Sequence, residues 1–293
     1  MLESIHFLVS YACNFECDHC FLFAGPRAGG AFRIEQIERI LDEAAVLGIR
    51  KVCFEGGEPM LHYPLVVEAV RQARARGMES GIVTNAYWAT SDRDAELWLR
   101  PLAELGVKGV GLSDDALHYG ESAGPHAERV IEAAKRLGMT ANVMRTETPR
   151  VEQTDSGPAV CGGVMFRGRA AVKMAAGLPT RPWESFTRCG RENLAAPKRV
   201  HVDSFGNIHL CQGLSMGNFW RRPLSELVRS FDGLAHPVAG PILRGGPAEL
   251  VRAFDLPHRA GYVDECHLCF EARLALLDRF PEFLAPRLVY GLE

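Results

Sequence analysis

Three cysteines at positions 13, 17 and 20 form a Cys-x3-Cys-x2-Cys run, CNFECDHC. Thiolates held this close together suit an iron–sulfur cluster. Three protein ligands on a four-iron cluster leave one iron open, and a catalytic metal centre needs an open position. A zinc knuckle is the competing reading, but zinc usually takes four ligands and only His19 is near enough in sequence to add one. A second set lies in the last third of the chain: Cys189, Cys211 and the pair Cys266-His-Leu-Cys269. Two separated cysteines and a Cys-x2-Cys turn can build a four-thiolate site for an iron–sulfur cluster or for structural zinc, and spacing does not separate the two. Such a clip stabilises a small loop-rich region. Of the other two cysteines, Cys53 lies inside an apolar strand and reads as a small buried residue. Cys161 precedes two glycines.

A further motif is Glu55-Gly56-Gly57-Glu58-Pro59. Its glycines permit close backbone approach, and its carboxylate can accept hydrogen bonds from an ammonium group. An ordinary turn has the same composition.

These residues sit in loops that a larger frame must hold. The chain has 293 residues, 47% of them hydrophobic, enough for one large domain or a medium domain with a smaller one attached. Net charge is −3 with no long block of either sign, which gives no reason to expect a nucleic-acid or membrane-surface partner. The first twenty residues lack a basic stretch and a cleavage pattern, so no signal peptide is expected. No apolar run is long enough to span a bilayer. The expectation is a soluble, cytoplasmic protein whose thiols stay reduced, which turns the nine cysteines toward metal binding or catalysis.

Strand-like and helix-like stretches alternate through residue 150. Strands are expected at 5–10, 51–56, 81–85, 107–113 and 140–146, with helices at 34–48, 62–77, 92–105 and 125–138. Glycines close the helices. This is the pattern of parallel βα units, whose ligands bind at the carboxyl ends of the strands. Residues 147–163 read as a loop, and VMFRGRAA (164–171) as a sixth strand leading into a helix. RVHVDSFGNIHLC (199–211) reads as a β-hairpin. A helix is expected near 247–254, and a packing helix at 270–285. A boundary near residue 180 divides a 1–180 unit from a 181–293 unit.

The cysteine run, with aromatic His19 just before its third cysteine, resembles the radical S-adenosylmethionine (SAM) superfamily. The resemblance covers most of residues 5–175 and implies a partial (β/α)6 barrel, an α/β fold, followed by a small C-terminal α+β auxiliary-cluster domain. It implies a [4Fe–4S] cluster on Cys13, Cys17 and Cys20 whose open iron takes SAM. The reduced cluster would then cleave SAM to a 5′-deoxyadenosyl radical that abstracts a hydrogen atom from the substrate. Gly56, Gly57, Glu58 and Pro59 match the GGEP motif that contacts the SAM amino group. Thr84-Asn85 matches the start of a T-N-G motif, with Ala86 in place of glycine. Ser113 and Asp115 match an S-x-D that bonds the SAM ribose or carboxylate; a helix cap or turn is the alternative. Arg145 is placed to pair with the SAM carboxylate or to form a surface ion pair. His118 faces either substrate or solvent.

The second cysteine set, with D-x-x-G-N-x-x-x-C at 203–211 and Gly217-Asn218, looks like the auxiliary domain called Twitch, a shortened SPASM domain holding a second [4Fe–4S] cluster. Cys161 is then a candidate hydrogen-atom donor, as in some radical SAM epimerases, a spare ligand, or idle. The resemblance implies a one-electron reductant such as flavodoxin or ferredoxin. It also implies a peptide or small-molecule natural-product substrate, modified by oxidation, cross-linking or epimerisation. With the barrel starting near residue 5, no peptide-recognition domain is expected ahead of it. The competing classes are a non-catalytic iron–sulfur electron carrier or redox sensor, and a zinc-binding scaffold.

Overall fold

In the computed structural model, residues 2–120, 124–155 and 157–292 are described. The first 144 residues run β1 (Ser4–Leu8), α1 (Ile34–Val46), β2 (Lys51–Glu55), α2 (Tyr63–Ala75), β3 (Glu79–Thr84), α3 (Asp92–Glu104), β4 (Gly109–Ser113), α4 (Ala116–Tyr119), α5 (His126–Arg136) and β5 (Thr140–Met144). The expected βα alternation is present with ends shifted by a few residues. Helix α1 shows why it forms: it buries Ile37, Ile40, Leu41 and Ala44, a stripe at helical spacing.

Next come β6 (Arg150–Thr154) and β7 (Gly157–Cys161), an antiparallel ribbon in the stretch expected to be a loop, then α6 (Arg169–Lys173). The rest comprises β8 (Arg181–Pro182), β9 (Arg199–Asp203), β10 (Asn207–Cys211), β11 (Leu214–Asn218), α7 (Leu224–Ser230), α8 (Ala239–Phe254, broken at Gly245 and Gly246), β12 (Gly261–Tyr262) and α9 (Glu265–Ala275).

One eight-stranded sheet has the order β11-β10-β9-β1-β2-β3-β4-β5. Strands β9, β1, β2, β3, β4 and β5 are parallel neighbours, and β10 and β11 are antiparallel. The sheet thus supplies six parallel strands, but the sixth is not 164–171. Residues 164–168 form no strand; the backbone N–H of Arg169 instead donates to the Cys20 carbonyl (2.8 Å), and a Cβ on Gly168 would fall 2.5 Å from Phe21 Cα. That segment lies under the cysteine loop. The sixth strand is β9, paired with β1 on the opposite side from β2, so one sheet continues across residue 180.

Alternation splits the parallel strands into two faces. Ile5, Phe7, Val52, Phe54, Ile82, Val110 and Leu112 are buried in the main core. The other face carries His6, Leu8, Cys53, Glu55, Val83, Ser113, Met144 and His201. Among the described residues, no helix is long and apolar enough to cross a membrane.

Candidate active site

The loop leaving β1 is pinned at several points by backbone hydrogen bonds. Gly57 N–H donates to Ser10 O (2.7 Å), Glu58 N–H to Ala12 O (2.9 Å) and Cys13 N–H to Gly25 O (3.1 Å). The reason for two glycines after β2 is now visible. A Cβ on Gly57 would meet Ala12 O at 2.2 Å, and one on Gly56 would meet Ser10 O at 2.6 Å. The glycines let the Gly-Gly-Glu turn lie directly against the chain entering the cysteine run. Arg169, which is buried, closes the other side, its guanidinium donating to Cys17 O (2.7 Å) and Ala24 O (2.8 Å).

Cys13, Cys17 and Cys20 are free thiols lining one cavity of about 300 Å³. His19, Gly56, Gly57, Glu58, Thr84, Asn85, Ser113, Asp115 and His118 line it too, at the carboxyl ends of β1 to β4. Pro59 does not; it opens the short 3-10 turn Pro59–His62. Burial, then the neighbouring Cys20 and Cys13, push the Cys17 thiol up to about 12, and burial carries Cys13 to about 11. Thiols this reluctant to ionise give up their protons when a cationic metal centre replaces them. The donor set fits a three-thiolate cluster.

Glu58 is 1% exposed. Its carboxylate accepts from Thr84 Oγ1 (2.7 Å), Asn85 N–H (2.8 Å) and Met60 N–H (3.0 Å). Burial outweighs these bonds and pushes it up to about 7. Asn85 ties this group to the cysteine loop through Nδ2 to Asn14 Oδ1 (2.9 Å). Ala86 adopts φ +62°, the left-handed conformation that a glycine at this position takes without strain.

Asp115 caps α4 by accepting from Leu117 and His118 N–H. It also contacts His118 Nδ1 (2.8 Å) and accepts from Thr146 N–H (2.9 Å). Burial pushes this carboxyl up, but the His118 and Thr146 hydrogen bonds overcome it and hold it below its ordinary value. His19 stands edge-on to His118 at 4.5 Å, and burial with that neighbour pushes it down to about 4.

Besides Pro59, two more of the expected residues are not brought to the cavity among the described residues. Arg145 is largely exposed and pairs with Asp114 (3.0 Å). Cys161 sits opposite Arg150 on the β6–β7 ribbon, where a hydrogen bond with Glu152 pushes its thiol up.

Residues 7–146 match the model described as the radical SAM superfamily. This stretch is a radical SAM domain. The relatives matched on sequence include a GTP 3′,8-cyclase of Chlorobaculum tepidum, 33% identical over 118 residues, 40% of this chain and 34% of that protein. Another is a PqqA peptide cyclase of Rhodopseudomonas palustris, 30% identical over 127 residues, 42% and 33% of the two chains. This chain thus spans about a third of the length of these curated relatives. A crystal structure of BtrN in complex with AdoMet and 2-DOIA superposes with a TM-score of 0.53 at 16% identity, covering 84% of this chain and 88% of that one; it shows a shared fold.

Beyond the radical SAM domain, Cys189, Cys211, Cys266 and Cys269 line a second, small cavity together with Arg167 and Arg273. Cys266 and Cys269 do not precede a helix, as expected, but lie in the first turns of α9. Asp264 caps that helix by accepting from His267 N–H (2.8 Å), which starts it early. Arg167 donates to Cys211 Sγ (3.0 Å), and Arg273 donates to Gln212 O (2.9 Å). Four thiols beside two buried guanidinium groups fit a metal–thiolate centre of net negative charge.

Sequence reasoning passed over Tyr11, Arg167 and Arg169, and noted Asp203 only as the start of the D-x-x-G-N motif. Tyr11 OH donates to Asp203 Oδ2 (2.9 Å), which also takes Asn207 Nδ2 (2.9 Å) and contacts His209 Nε2 (3.1 Å). The D-x-x-G-N motif therefore builds a buried polar knot that ties the β9–β10 hairpin to the residue two before Cys13. The two arginines could have been flagged as charges inside an apolar run.

Proposed function

We propose that the protein is a radical SAM enzyme with two iron–sulfur sites, acting on a peptide or small-molecule natural product and supplied with electrons by a flavodoxin or ferredoxin in the cytoplasm. The observation that carries the reading is the convergence of Cys13, Cys17 and Cys20 with Gly57, Glu58, Ser113 and Asp115 on one cavity at the carboxyl ends of the parallel strands. Cys13, Cys17 and Cys20 would hold a [4Fe–4S] cluster. Cys189, Cys211, Cys266 and Cys269 would hold a second, so that residues 1–180 supply the first site and 181–293 the other. When bound, the first cluster and SAM supply a 5′-deoxyadenosyl radical able to abstract hydrogen.

The chain's own residues do the rest. Gly56, Gly57 and Glu58 form the wall for the SAM ammonium group, with Glu58 as the anionic partner. Ser113 and Asp115 offer oxygens to the ribose or carboxylate. His19 flanks the site as a neutral ring. Arg145 reaches a SAM carboxylate only by leaving Asp114, and Cys161 donates hydrogen only if the β6–β7 ribbon folds over the cavity. Phe21, Val83, Met144, Val164 and Met165 give the cavity apolar walls that keep water from a reactive intermediate.

The test is iron, sulfide and zinc content after anaerobic reconstitution, on wild type and on a Cys13→Ala/Cys17→Ala/Cys20→Ala variant, with 5′-deoxyadenosine formation as the activity readout. About eight irons falling to about four supports both sites. About four falling to none, with one zinc retained, reassigns the second site to structural metal. Absence of iron, or of 5′-deoxyadenosine from reduced protein with SAM, overturns the reading.

A further inference from the structure

We propose that His6, Glu55 and His201 form a binding site for a divalent first-row metal ion on the face of the sheet turned away from the main core, separate from both cysteine sets. The three residues come from three adjacent strands, β1, β2 and β9, and share one face. His6 is the direct register partner of His201, and Glu55 is that of Leu8. One donor atom from each lies within 4.8 Å of the other two. Glu55 Oε1 is 2.9 Å from His201 Nε2 and 3.3 Å from His6 Nδ1. Donors sharing one ion at about 2.1 Å stand roughly 3.0–3.4 Å apart, so these separations need little adjustment to accept one.

The hydrogen-bond inventory gives a second, independent reason. His201 Nε2 approaches Glu55 Oε1 to 2.9 Å, but His6 Nδ1 is buried and, among the described residues, makes no hydrogen bond of acceptable geometry. A buried nitrogen facing a carboxylate oxygen without bonding to it wants a partner, and an ion between the three would supply one. The rings of His6 and His201 stand 66° apart with centroids at 5.1 Å, not stacked face to face.

Two imidazoles and a carboxylate are a donor set for zinc, iron(II) or manganese(II), and three protein ligands leave positions open. The side chains of His6 and Glu55 keep 20% and 19% of their surface exposed, so the site is not sealed. Glu55 also lines the cavity that holds Cys13, Cys17 and Cys20. An ion here would form part of the cavity floor and take an oxygen or nitrogen donor from a molecule bound above it. The metal site rests on donor geometry and on the unbonded His6 nitrogen, and stands or falls independently of the radical SAM reading.

The probe is Mn²⁺, which prefers oxygen and nitrogen donors and so avoids the thiols. Full-length, anaerobically reconstituted protein, freed of loose metal and without SAM, is titrated while the free Mn²⁺ signal is followed by electron paramagnetic resonance. One equivalent should bind and be displaced by one equivalent of Zn²⁺. Glu55→Gln, which preserves shape, and His201→Ala should each weaken binding by more than the roughly 10–100-fold that changes to outer partners cost. Iron content and circular dichroism of Glu55→Gln report whether that variant is folded, and His6→Gln replaces it if not. His118→Ala should leave binding unchanged; it controls for His19, Asp115 and His118, a second histidine–carboxylate cluster among the described residues. Three results overturn the proposal: no Mn²⁺ bound by wild type, which leaves a metal-free ion-pair contact; binding that survives in Glu55→Gln; or binding lost in His118→Ala.

Discussion

Glu58 makes the stability of the metal-free protein fall as pH rises through neutrality. Its ordinary value of 4.5 is raised to about 7 in the fold by burial, against three hydrogen bonds that favour the ionised form. The folded state therefore holds a proton at Glu58 that the unfolded chain has already released between these two values. Where the native state binds more protons, stability drops with rising pH. A displacement of that size corresponds to about 3 kcal/mol in full, most of it lost between pH 5 and pH 8 and the rest mainly below pH 5. Histidines 201 and 236, lowered chiefly by burial, act in the opposite sense at acid pH, so the wild-type curve alone mixes several groups.

Glu58→Gln isolates the contribution. Glutamine keeps the shape and stays neutral at every pH, as the protonated acid does. Denaturant unfolding of anaerobic, cluster-free wild type and variant at half-unit steps from pH 5 to pH 8 gives a difference curve. Wild type should lose roughly 2–3 kcal/mol relative to the variant across that range, with the steepest slope between pH 5 and pH 7. An ammonium-bearing ligand beside the ionised carboxylate should recover part of this loss, so SAM should stabilise wild type more at pH 8 than at pH 6. A difference curve flat to within about 0.5 kcal/mol would refute the reasoning, because it would mean the three hydrogen bonds already balance burial.

Three more changes test the scaffold of the site. Tyr11→Phe removes one donor from the fully buried Asp203 carboxylate and should cost about 1.5–3 kcal/mol in denaturant unfolding, against nearly nothing if the contact is incidental. Gly57→Ala drives a methyl into Ala12 O at 2.2 Å and should cost the protein about four irons, those of the first site alone; full iron content would show that the cysteine loop tolerates the shift. Arg169→Met leaves Ala24 O without its side-chain donor, while Cys17 O keeps the Cys20 N–H. A loss of about 1–3 kcal/mol is expected in thermal or denaturant unfolding, and an unchanged midpoint would argue against a clasp.

The first five strands and the four helices expected between them were legible because each signal is local. The apolar stripe of α1, the glycine stops and the short strands are all read within a dozen residues. The cysteine run and Gly-Gly-Glu were legible as chemistry because both follow strands whose carboxyl ends meet. What escaped were long-range events. Strand β9 pairs with β1 across 195 positions. No periodicity encodes that, so the apolar run at 164–171 looked like the missing strand. The same run hid its function, since Arg167 and Arg169 serve carbonyl and thiol groups that are distant in sequence. Asp203 looked like part of a hairpin turn because its partners Tyr11 and His209 are brought to it only by the β1–β9 pairing.

That pairing also explains how two cysteine sites far apart in sequence come to share one scaffold. Phe21 directly follows Cys20, and the Arg167 guanidinium lies 5.0 Å from the centre of its ring while donating to Cys211 Sγ. Two residues on, Arg169 holds Cys17 O, and its own N–H holds Cys20 O. A stretch of three residues thus touches both thiol sets, and a buried arginine cannot turn from one to the other without stranding its charge. Strand β9 reinforces the link, since its parallel pairing with β1 fixes the hairpin that ends at Cys211 relative to the strand that leads to Cys13. Disorder introduced at either cysteine site is therefore transmitted to the other through these packed, charge-paired contacts.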